Sequence, residues 1–536
     1  MRRIWPALLV PCATVFGELT VVSVSPSQNG LNAPTGAPIS ITFDRAVDRA
    51  TVSASSIGVF GKWSGPATGA FTFSAGDTVV TFDPDQNFSA GEMVMVALAN
   101  SLRAADGTSL RDAGYCWQYW TRTRVASLDL VRTATMSTNF PSGASSRPYG
   151  GVGTDFNGDG WLDLTMVCED TADLRVLLNT GDGLGTYGAI LQPASSIGFT
   201  ASPSDTADFD RDGHADICVT VPSTGNVAIL LGNGDGTFQP RQDVAVGATP
   251  YGVGAIDVDG DGDLDIVNAN ATPGNVSVLR NDDGVFSPPT FFDAGVSAER
   301  GLAATDMDND GILDFVVGGI SSGTATVNFG NGDGTFSTSG ATQAGGAVWM
   351  MVAGDIDADG DPDIAVANST SNRASILRNN AGVLAGPVNL STDPFTLSVD
   401  YADFDGDGDL DLITSSYSGD WRLFLNNGAG TFAFDREFDA SVASSCAIPL
   451  DIDNDRDLDI ALVDEEADTI QIYKNDGTGL TTDTNGDCVI DLTDLGEMLA
   501  NYGCAGGVCA GDVDDDDDVD LSDLGELLSD FGAVCP

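Results

Sequence analysis

One aspartate-rich nonapeptide recurs seven times along the chain. Its copies begin at Asp155, Asp208, Asp257, Asp306, Asp355, Asp403 and Asp451, giving steps of 53, 49, 49, 49, 48 and 48 residues. A unit of about fifty residues is a single supersecondary element, which buries its apolar face only by stacking on its neighbours. The chain is therefore organised as a repeat scaffold, and every unit carries the same acidic loop.

Each loop reads Asp-x-Asp/Asn-x-Asp-Gly-x-x-Asp, with side-chain oxygens at positions 1, 3, 5 and 9. The first copy supplies Asp155, Asn157, Asp159 and Asp163, and the second Asp208, Asp210, Asp212 and Asp216. Asp257, Asp259, Asp261 and Asp265 follow, then Asp306, Asp308, Asp310 and Asp314. The fifth copy has Asp355, Asp357, Asp359 and Asp363, and the sixth Asp403, Asp405, Asp407 and Asp411. Asp451, Asp453, Asp455 and Asp459 complete the set. With a backbone carbonyl at position 7, such a loop suits a hard cation that takes six to eight oxygens. Position 7 is Trp161, His214, Asp263, Ile312, Asp361, Asp409 or Asp457, a variety that only a main-chain ligand tolerates. Position 6 is glycine in six copies, where a tight turn favours positive φ, and Arg456 in the seventh. Asn157 keeps an oxygen but removes a charge.

Calcium fits these loops better than magnesium, which dehydrates reluctantly and rarely occupies all-protein cages. Zinc would want imidazole or thiolate, and the single histidine, His214, sits at the tolerant position 7. Without a cation, carboxylates about 4 Å apart repel by roughly 1–4 kcal/mol per pair. Up to seven calcium ions are expected in the repeats, with a strong contribution to stability.

The formal charge is −57, and Lys62 and Lys474 are the only lysines. Nucleic-acid binding is excluded as a main role, because a phosphate backbone needs a basic face. Short alternating apolar runs with 65 glycines point to a mainly β protein. Residues 1–17, two arginines followed by an apolar run, read as a secretory signal, so a secreted or cell-surface location is expected. Pro11 before Cys12 argues against lipidation. No later stretch is long and apolar enough for a transmembrane helix. Cys488, Cys504, Cys509 and Cys535 crowd the end of the chain, which suits disulfides of undetermined pairing. Cys116, Cys168, Cys218 and Cys446 are expected as small buried side chains.

Residues 18–124 lack the loop and carry β-type runs at 19–24, 39–43, 78–82 and 93–98. Ser25-Pro26, Ala37-Pro38-Ile39-Ser40-Ile41-Thr42-Phe43 and Val80-Thr81-Phe82-Asp83-Pro84 resemble bacterial Ig-like domains, which act as spacers or adhesive modules. Around each acidic loop stand an apolar strand before it, another after it, and a third that leads into a turn. Asn233-Gly-Asp-Gly-Thr-Phe238, Asn331-Gly-Asp-Gly-Thr-Phe336 and Asn427-Gly-Ala-Gly-Thr-Phe432 are examples of that turn. Four strands per unit is a propeller blade. The loops and turns resemble the FG-GAP/VCBS repeats of integrin alpha-subunit propellers. The resemblance implies a seven-bladed β-propeller over 127–480, with its metal loops between first and second strands on one face. The last unit lacks an outer strand, and residues 127–132 are expected to supply it and protect the open edge. Ligands would meet the opposite face, near Tyr149, Ser202, Tyr251, Arg300, Trp349, Leu397 and Ser445. Packing against neighbouring blades, or mere exposure, is the favoured reading for those seven side chains.

From 481 to 536 the pattern changes to a duplicated loop and helix. Asp483, Asn485, Asp487, Asp491 and Asp494 match Asp512, Asp514, Asp516, Asp520 and Asp523 at positions 1, 3, 5, 9 and 12 of a calcium loop. Helices over 492–502 and 521–531 follow, with Leu495, Met498 and Leu499 matching Leu524, Leu527 and Leu528 as core-facing residues. This resembles a dockerin type I domain, a small α-helical module that binds two calcium ions and docks a cohesin. Cys488 and Asp517 stand where glycine is usual. The whole is expected to be a non-catalytic adhesion or carbohydrate-binding protein, anchored through that module to a cohesin-like partner and meeting a polysaccharide or cell-surface glycan. A polysaccharide lyase or hydrolase with a propeller catalytic domain is the alternative. Against it stands the lack of a histidine pair, a cysteine–histidine pair, or a carboxylate couple outside the loops.

Overall fold

The computed structural model of the chain describes residues 17–126, 128–140, 143, 145–475, 490, 492–504, 513 and 519–531. Residues 1–16 of the expected 1–17 signal segment lie outside them. Among the described residues no helix is long and apolar enough to cross a membrane.

The N-terminal region folds into two four-stranded antiparallel sheets. One runs Val21–Ser25, Ile39–Phe43, Val79–Pro84 and Gly69–Ser74; the other Gly65–Pro66, Ile57–Gly61, Met93–Leu98 and Tyr115–Trp120. Period-two alternation places Ile39, Ile41 and Phe43 inward, against Val94, Val96, Leu98, Trp117 and Tyr119 from the facing sheet.

Beyond it stand seven antiparallel sheets, one per repeat, with strands in chain order in the first six. The acidic loop joins the first strand to the second, and every second strand starts on the position-9 aspartate: Asp163–Cys168, Asp216–Val221, Asp265–Thr272, Asp314–Gly319, Asp363–Asn368, Asp411–Ser416 and Asp459–Asp464. These strands are buried almost throughout, because each sheet is covered on both faces by its neighbours. First strands of successive sheets touch, and the first strand of unit 1 touches that of unit 7. Leu164 and Met166 of unit 1 share one apolar core with Ala461, Val463 and Ile472 of unit 7, so the end units pack as ordinary neighbours.

Side-chain amides stitch the units together. Asn281 Nδ2 donates to the Phe209 carbonyl (2.7 Å), Asn379 to Met307 (2.9 Å), Asn426 to Ile356 (2.7 Å) and Asn475 to Phe404 (3.0 Å). Asn179 makes the same bond to Ile452 (2.8 Å), from unit 1 back to unit 7. Gly232 and Gly330 hold the equivalent place in units 2 and 4. There a turn amide takes over, from Gly236 to Phe156 O (3.1 Å) and from Gly334 to Val258 O (2.9 Å).

A strand from before the first unit does complete the last sheet, but it is Val131–Ser137, not residues 127–132. It pairs antiparallel with Thr469–Lys474. Leu128 and Leu130 serve elsewhere, packing with Trp421, Leu423 and Phe438. The alternating run that follows them, with Ala134 and Met136 against the unit 1–unit 7 core, fits a strand better.

Near the C-terminus, helices Leu492–Asn501 and Leu521–Asp530 pack on each other. Leu495, Met498, Leu524 and Leu527 meet Ile490, Val513 and Val519. Leu499 and Leu528 are a correction: they are 52% and 55% exposed. Two ten-residue helices share only a narrow stripe, and the second apolar residue of each pair, 100° further round, points away.

Candidate metal centres and the two ends of the channel

Unit 3 shows how a loop is built. Asp257 accepts from the Gly260 and Gly262 amides (2.7 and 3.0 Å), and Asp261 accepts from the Asp263 amide (3.0 Å). Asp265 accepts from Val258 N (2.9 Å) and from Asn281 N at the end of the third strand (2.7 Å). The latter brace recurs in Asp163, Asp216, Asp314, Asp363, Asp411 and Asp459, with the third-strand amide 2.6–2.8 Å away. Position 9 thus ties the loop to its sheet. Position 3 differs: Asp210, Asp259, Asp308 and Asp357 each keep one buried oxygen with no hydrogen bond.

Carboxylate oxygens converge to within 4.8 Å of one another for Asp208, Asp210 and Asp216, for Asp257, Asp259 and Asp265, and for Asp306, Asp308 and Asp314. Asp355, Asp357 and Asp359 converge likewise. Burial, with neighbouring carboxylates adding to it, pushes Asp216 and Asp314 up to about 8 and Asp411 up to about 9. Converging oxygens with unspent lone pairs, in a site that disfavours bare negative charge, suit an oxygen-seeking divalent cation.

In unit 1, the Asn157 amide donates to Asp159 (2.9 Å) instead of offering a charge. In unit 6, Asp403 accepts from the Thr123 hydroxyl (2.7 Å), and Asp407 N donates to Asp405 (3.2 Å). In unit 7, Asp451 accepts from Asp455 N (3.1 Å) and from Arg456 N (3.0 Å). Arg456 adopts φ +75°, the conformation of the six glycines it replaces. Position 4 also has positive φ in all seven copies, at Gly158, Arg211, Gly260, Asn309, Ala358, Gly406 and Asn454. The excess of Gly and Asn there was the readable signal, and sequence reasoning passed over it.

Of the C-terminal candidate ligands, Asp494 and Asp523 are buried. Asp523 accepts from Val513 N and Asp520 N (both 2.7 Å), while Asp520 caps its helix through Ser522 N (2.6 Å). Asp483, Asn485, Asp487, Asp491, Asp512, Asp514 and Asp516 lie outside the described residues, as do Cys488, Cys509 and Cys535. Cys504 is disulfide-bonded. Cys116, Cys168 and Cys218 are buried and free, and Cys446 is free and half-buried.

The N-terminal sandwich sits on the loop face. Gln28 donates to Asp306 (2.6 Å), and Asn29 to Asn309 (2.9 Å) and to the Gly360 carbonyl (2.9 Å). Arg124 pairs with Asp455 (3.2 Å) and Asp457 (2.8 Å), and Asn100 N donates to Gly260 O (2.7 Å). Lys62 and Trp63 reach into the axial channel, a cavity of about 340 Å³ lined by the first strands of all seven units. Lys62 forms an ion pair with Asp205. Asp400 lines the same cavity, open to its interior but walled by protein, and burial pushes its carboxyl up to about 7. Lys62 is pushed down to about 8 for the same reason.

At the other end, Tyr149, Tyr251, Arg300, Trp349, Leu397 and Ser445 do come together, around a cavity of about 80 Å³. The Ser202 side chain lies outside the described ones. The Arg300 guanidinium lies between the rings of Tyr251 (3.7 Å) and Trp349 (3.3 Å), and Tyr149 Oη accepts from Trp349 Nε1 (2.9 Å). Those faces are spent on each other, the packing role favoured from sequence. Beside them an aromatic run turns outward, with Phe395 edge-on to Trp349 (5.2 Å) and to Tyr417 (6.0 Å). Phe395 is 36% exposed and holds φ +65°. The Tyr417 hydroxyl donates to Glu466 (2.9 Å).

Six overlapping stretches match the FG-GAP-like repeat, at 155–219, 208–268, 257–317, 306–366, 355–414 and 403–462. Residues 17–121 match a bacterial Ig-like domain. No curated protein matches the chain in sequence. Similar solved structures include an Agrocybe aegerita lectin specific for non-reducing terminal N-acetylglucosamine (20% identity, TM-score 0.41, 56% of this chain and 82% of that one). Others are BBS1N in complex with ARL6DN (11%, TM-score 0.47, 65% and 97%) and a Lactobacillus plantarum protein (12%, TM-score 0.44, 72% and 97%). At these identities and scores they say nothing of ligand or activity. The matching repeats run over 155–462, more than half of the 536 residues, and the chain belongs to the FG-GAP-like repeat family.

Proposed function

We propose that the protein is an exported, non-catalytic adhesion or carbohydrate-binding protein. Its seven sheets are the blades of a closed propeller whose loops bind up to seven calcium ions. A dockerin-like C-terminal module, with two further calcium sites, anchors it to a cohesin-like partner. The observation that carries the metal part is the unsatisfied position-3 oxygen in four consecutive units, each beside other carboxylates. Bound calcium would supply the positive charge that lets these carboxylates stay ionised together.

The bacterial Ig-like match supports export, since such domains belong to extracellular proteins. The ligand surface is assigned to the end of the channel away from the loops, where the exposed Phe395 ring and the half-buried Tyr417 stand beside a carboxylate. Sugar rings stack on such faces, and their hydroxyls bond a group like Glu466. A bulky residue in the left-handed region costs about 1–3 kcal/mol and is typically retained where function requires it.

The test is a polysaccharide panel incubated with the purified full chain in calcium, read for retention and for new chain ends. Saturable retention without depolymerisation, lost in Phe395→Ala, is the expected result. New reducing or unsaturated ends would make the protein an enzyme and overturn the non-catalytic reading.

A further inference from the structure

The seven loops are not equivalent, and the difference lies just outside them. The residue before the third-strand amide that braces position 9 is Leu178, Leu231, Phe329 or Leu425 in units 1, 2, 4 and 6. In units 3, 5 and 7 it is Arg280, Arg378 or Lys474. Each of these three cations reaches the position-3 carboxylate of its own loop. Arg280 pairs with Asp259 at 2.9 Å, and Arg378 and Lys474 pair closely with Asp357 and Asp453. Among the described residues, no arginine or lysine forms an ion pair with Asp210, Asp308 or Asp405, the position-3 carboxylates of units 2, 4 and 6.

The side chain at this place also fills the seam to the next unit. Arg280 and Arg378 donate to the Asp333 and Ala429 carbonyls in the following turn, where a Cβ on Gly334 or Gly430 would strike the guanidinium. Leu178 and Phe329 meet Gly236 and Gly382 in the same way. One structural slot is thus filled by a hydrocarbon in some units and by a positive charge in others.

The charged slots accompany a fifth acid. Units 3, 5 and 7 carry Asp263, Asp361 and Asp457 at position 7, whereas units 1, 2 and 4 carry Trp161, His214 and Ile312. Those extra carboxylates are engaged by groups outside their own loops. Asp263 pairs with Arg211 (2.6 Å), Asp361 accepts from Asn309 (2.6 Å), and Asp457 pairs with Arg124. Unit 6 is the exception, with Asp409 at position 7 and Leu425 in the slot. One buried oxygen of its Asp403 has no hydrogen bond.

Resting on the calcium reading above, we propose that the loops form two classes of cation site. In units 3, 5 and 7 the slot cation holds the position-3 carboxylate against an incoming metal, so those sites fill last. Units 2, 4 and 6 fill first, and unit 6, with five acids and no slot cation, binds tightest. The physical reason is direct. A metal entering unit 3 must displace Arg280 from Asp259 and then tolerate its charge nearby, whereas Leu231 in the unit 2 slot brings no charge to Asp210.

The test is a calcium titration of the EDTA-stripped full chain by calorimetry, comparing wild type with Arg280→Leu/Arg378→Leu. Leucine already fills this slot in units 1, 2 and 6. Wild type should show a tight and a weak class, and the double variant should move two sites from weak to tight. Their affinity should rise by about tenfold or more, equal to about 1.4 kcal/mol each, with the total number of ions unchanged. Arg280→Lys/Arg378→Lys, which keeps the charge, should reproduce the wild-type curve. A single uniform class in wild type would overturn the proposal while leaving the calcium reading intact. So would a leucine variant, of wild-type circular dichroism, whose curve is unchanged or has lost sites. A lysine variant that matches the leucine one would also overturn it, since seam packing and not charge would then set affinity. No calcium uptake by wild type would remove the metal reading itself.

Discussion

The two ends of the channel are lined by the same seven first strands yet are finished in opposite ways. At the loop end every acidic loop lies near or under the N-terminal sandwich, with Lys62 and Trp63 inserted and Thr123 and Arg124 engaging the loops of units 6 and 7. At the far end no second domain intervenes among the described residues. Arg300, Tyr251, Trp349 and Tyr149 plug the opening from within, leaving Phe395 and Tyr417 turned outward. Charge is concentrated and compensated at one end, while an aromatic ring, Phe395, lies exposed at the other.

Removing metal should break this asymmetry most severely. With EDTA the melting temperature is expected to fall by about 10 °C or more, because a ligand bound only by the folded state stabilises it by mass action. Calorimetry checks this, and an unchanged transition would count against the metal reading. Lys62→Met leaves the half-buried Asp205 without its cation and should cost about 1–3 kcal/mol in denaturant unfolding. It should also loosen the sandwich, read as faster proteolysis near residues 121–130, whereas Lys62→Met/Asp205→Leu recovers most of the loss.

A smaller effect is set by pH. The Asp400 carboxyl is raised to about 7 from 3.8, so the folded chain binds this proton more tightly than the unfolded chain. Its contribution is intact near pH 4 and is lost progressively as pH rises to about 7. Asp400→Asn should therefore match wild type at pH 4 and exceed it by about 1–3 kcal/mol at pH 8, with a flatter stability profile between. Smaller again, Arg456→Gly relieves a left-handed arginine and should add about 1 kcal/mol. His214→Ala should change neither calcium content nor stability.

The repeat was legible because its period and its loop are both written in residue types that few other structures require. Strands Ile39–Phe43 and Met93–Leu98 fell where alternation placed them. The closing strand was misplaced by four residues because Leu128 and Leu130 look like strand residues and are in fact packing plugs. Docking of the sandwich left no periodic trace. Gln28, Asn29 and Arg124 are single polar residues whose partners lie some 280 to 331 positions away. The position-9 brace was hidden for another reason: an aspartate that accepts two backbone amides reads the same in sequence as one that only binds metal. The slot cations likewise look like ordinary surface charges until the third strand brings them to position 3.

Calcium stoichiometry is the most direct measurement, by equilibrium dialysis of the full chain beside Asp257→Ala. The account predicts several ions per chain, up to seven from the repeats and two from the C-terminal module, with one fewer in the variant. Less than one ion per chain, or an unchanged count in Asp257→Ala, would contradict it.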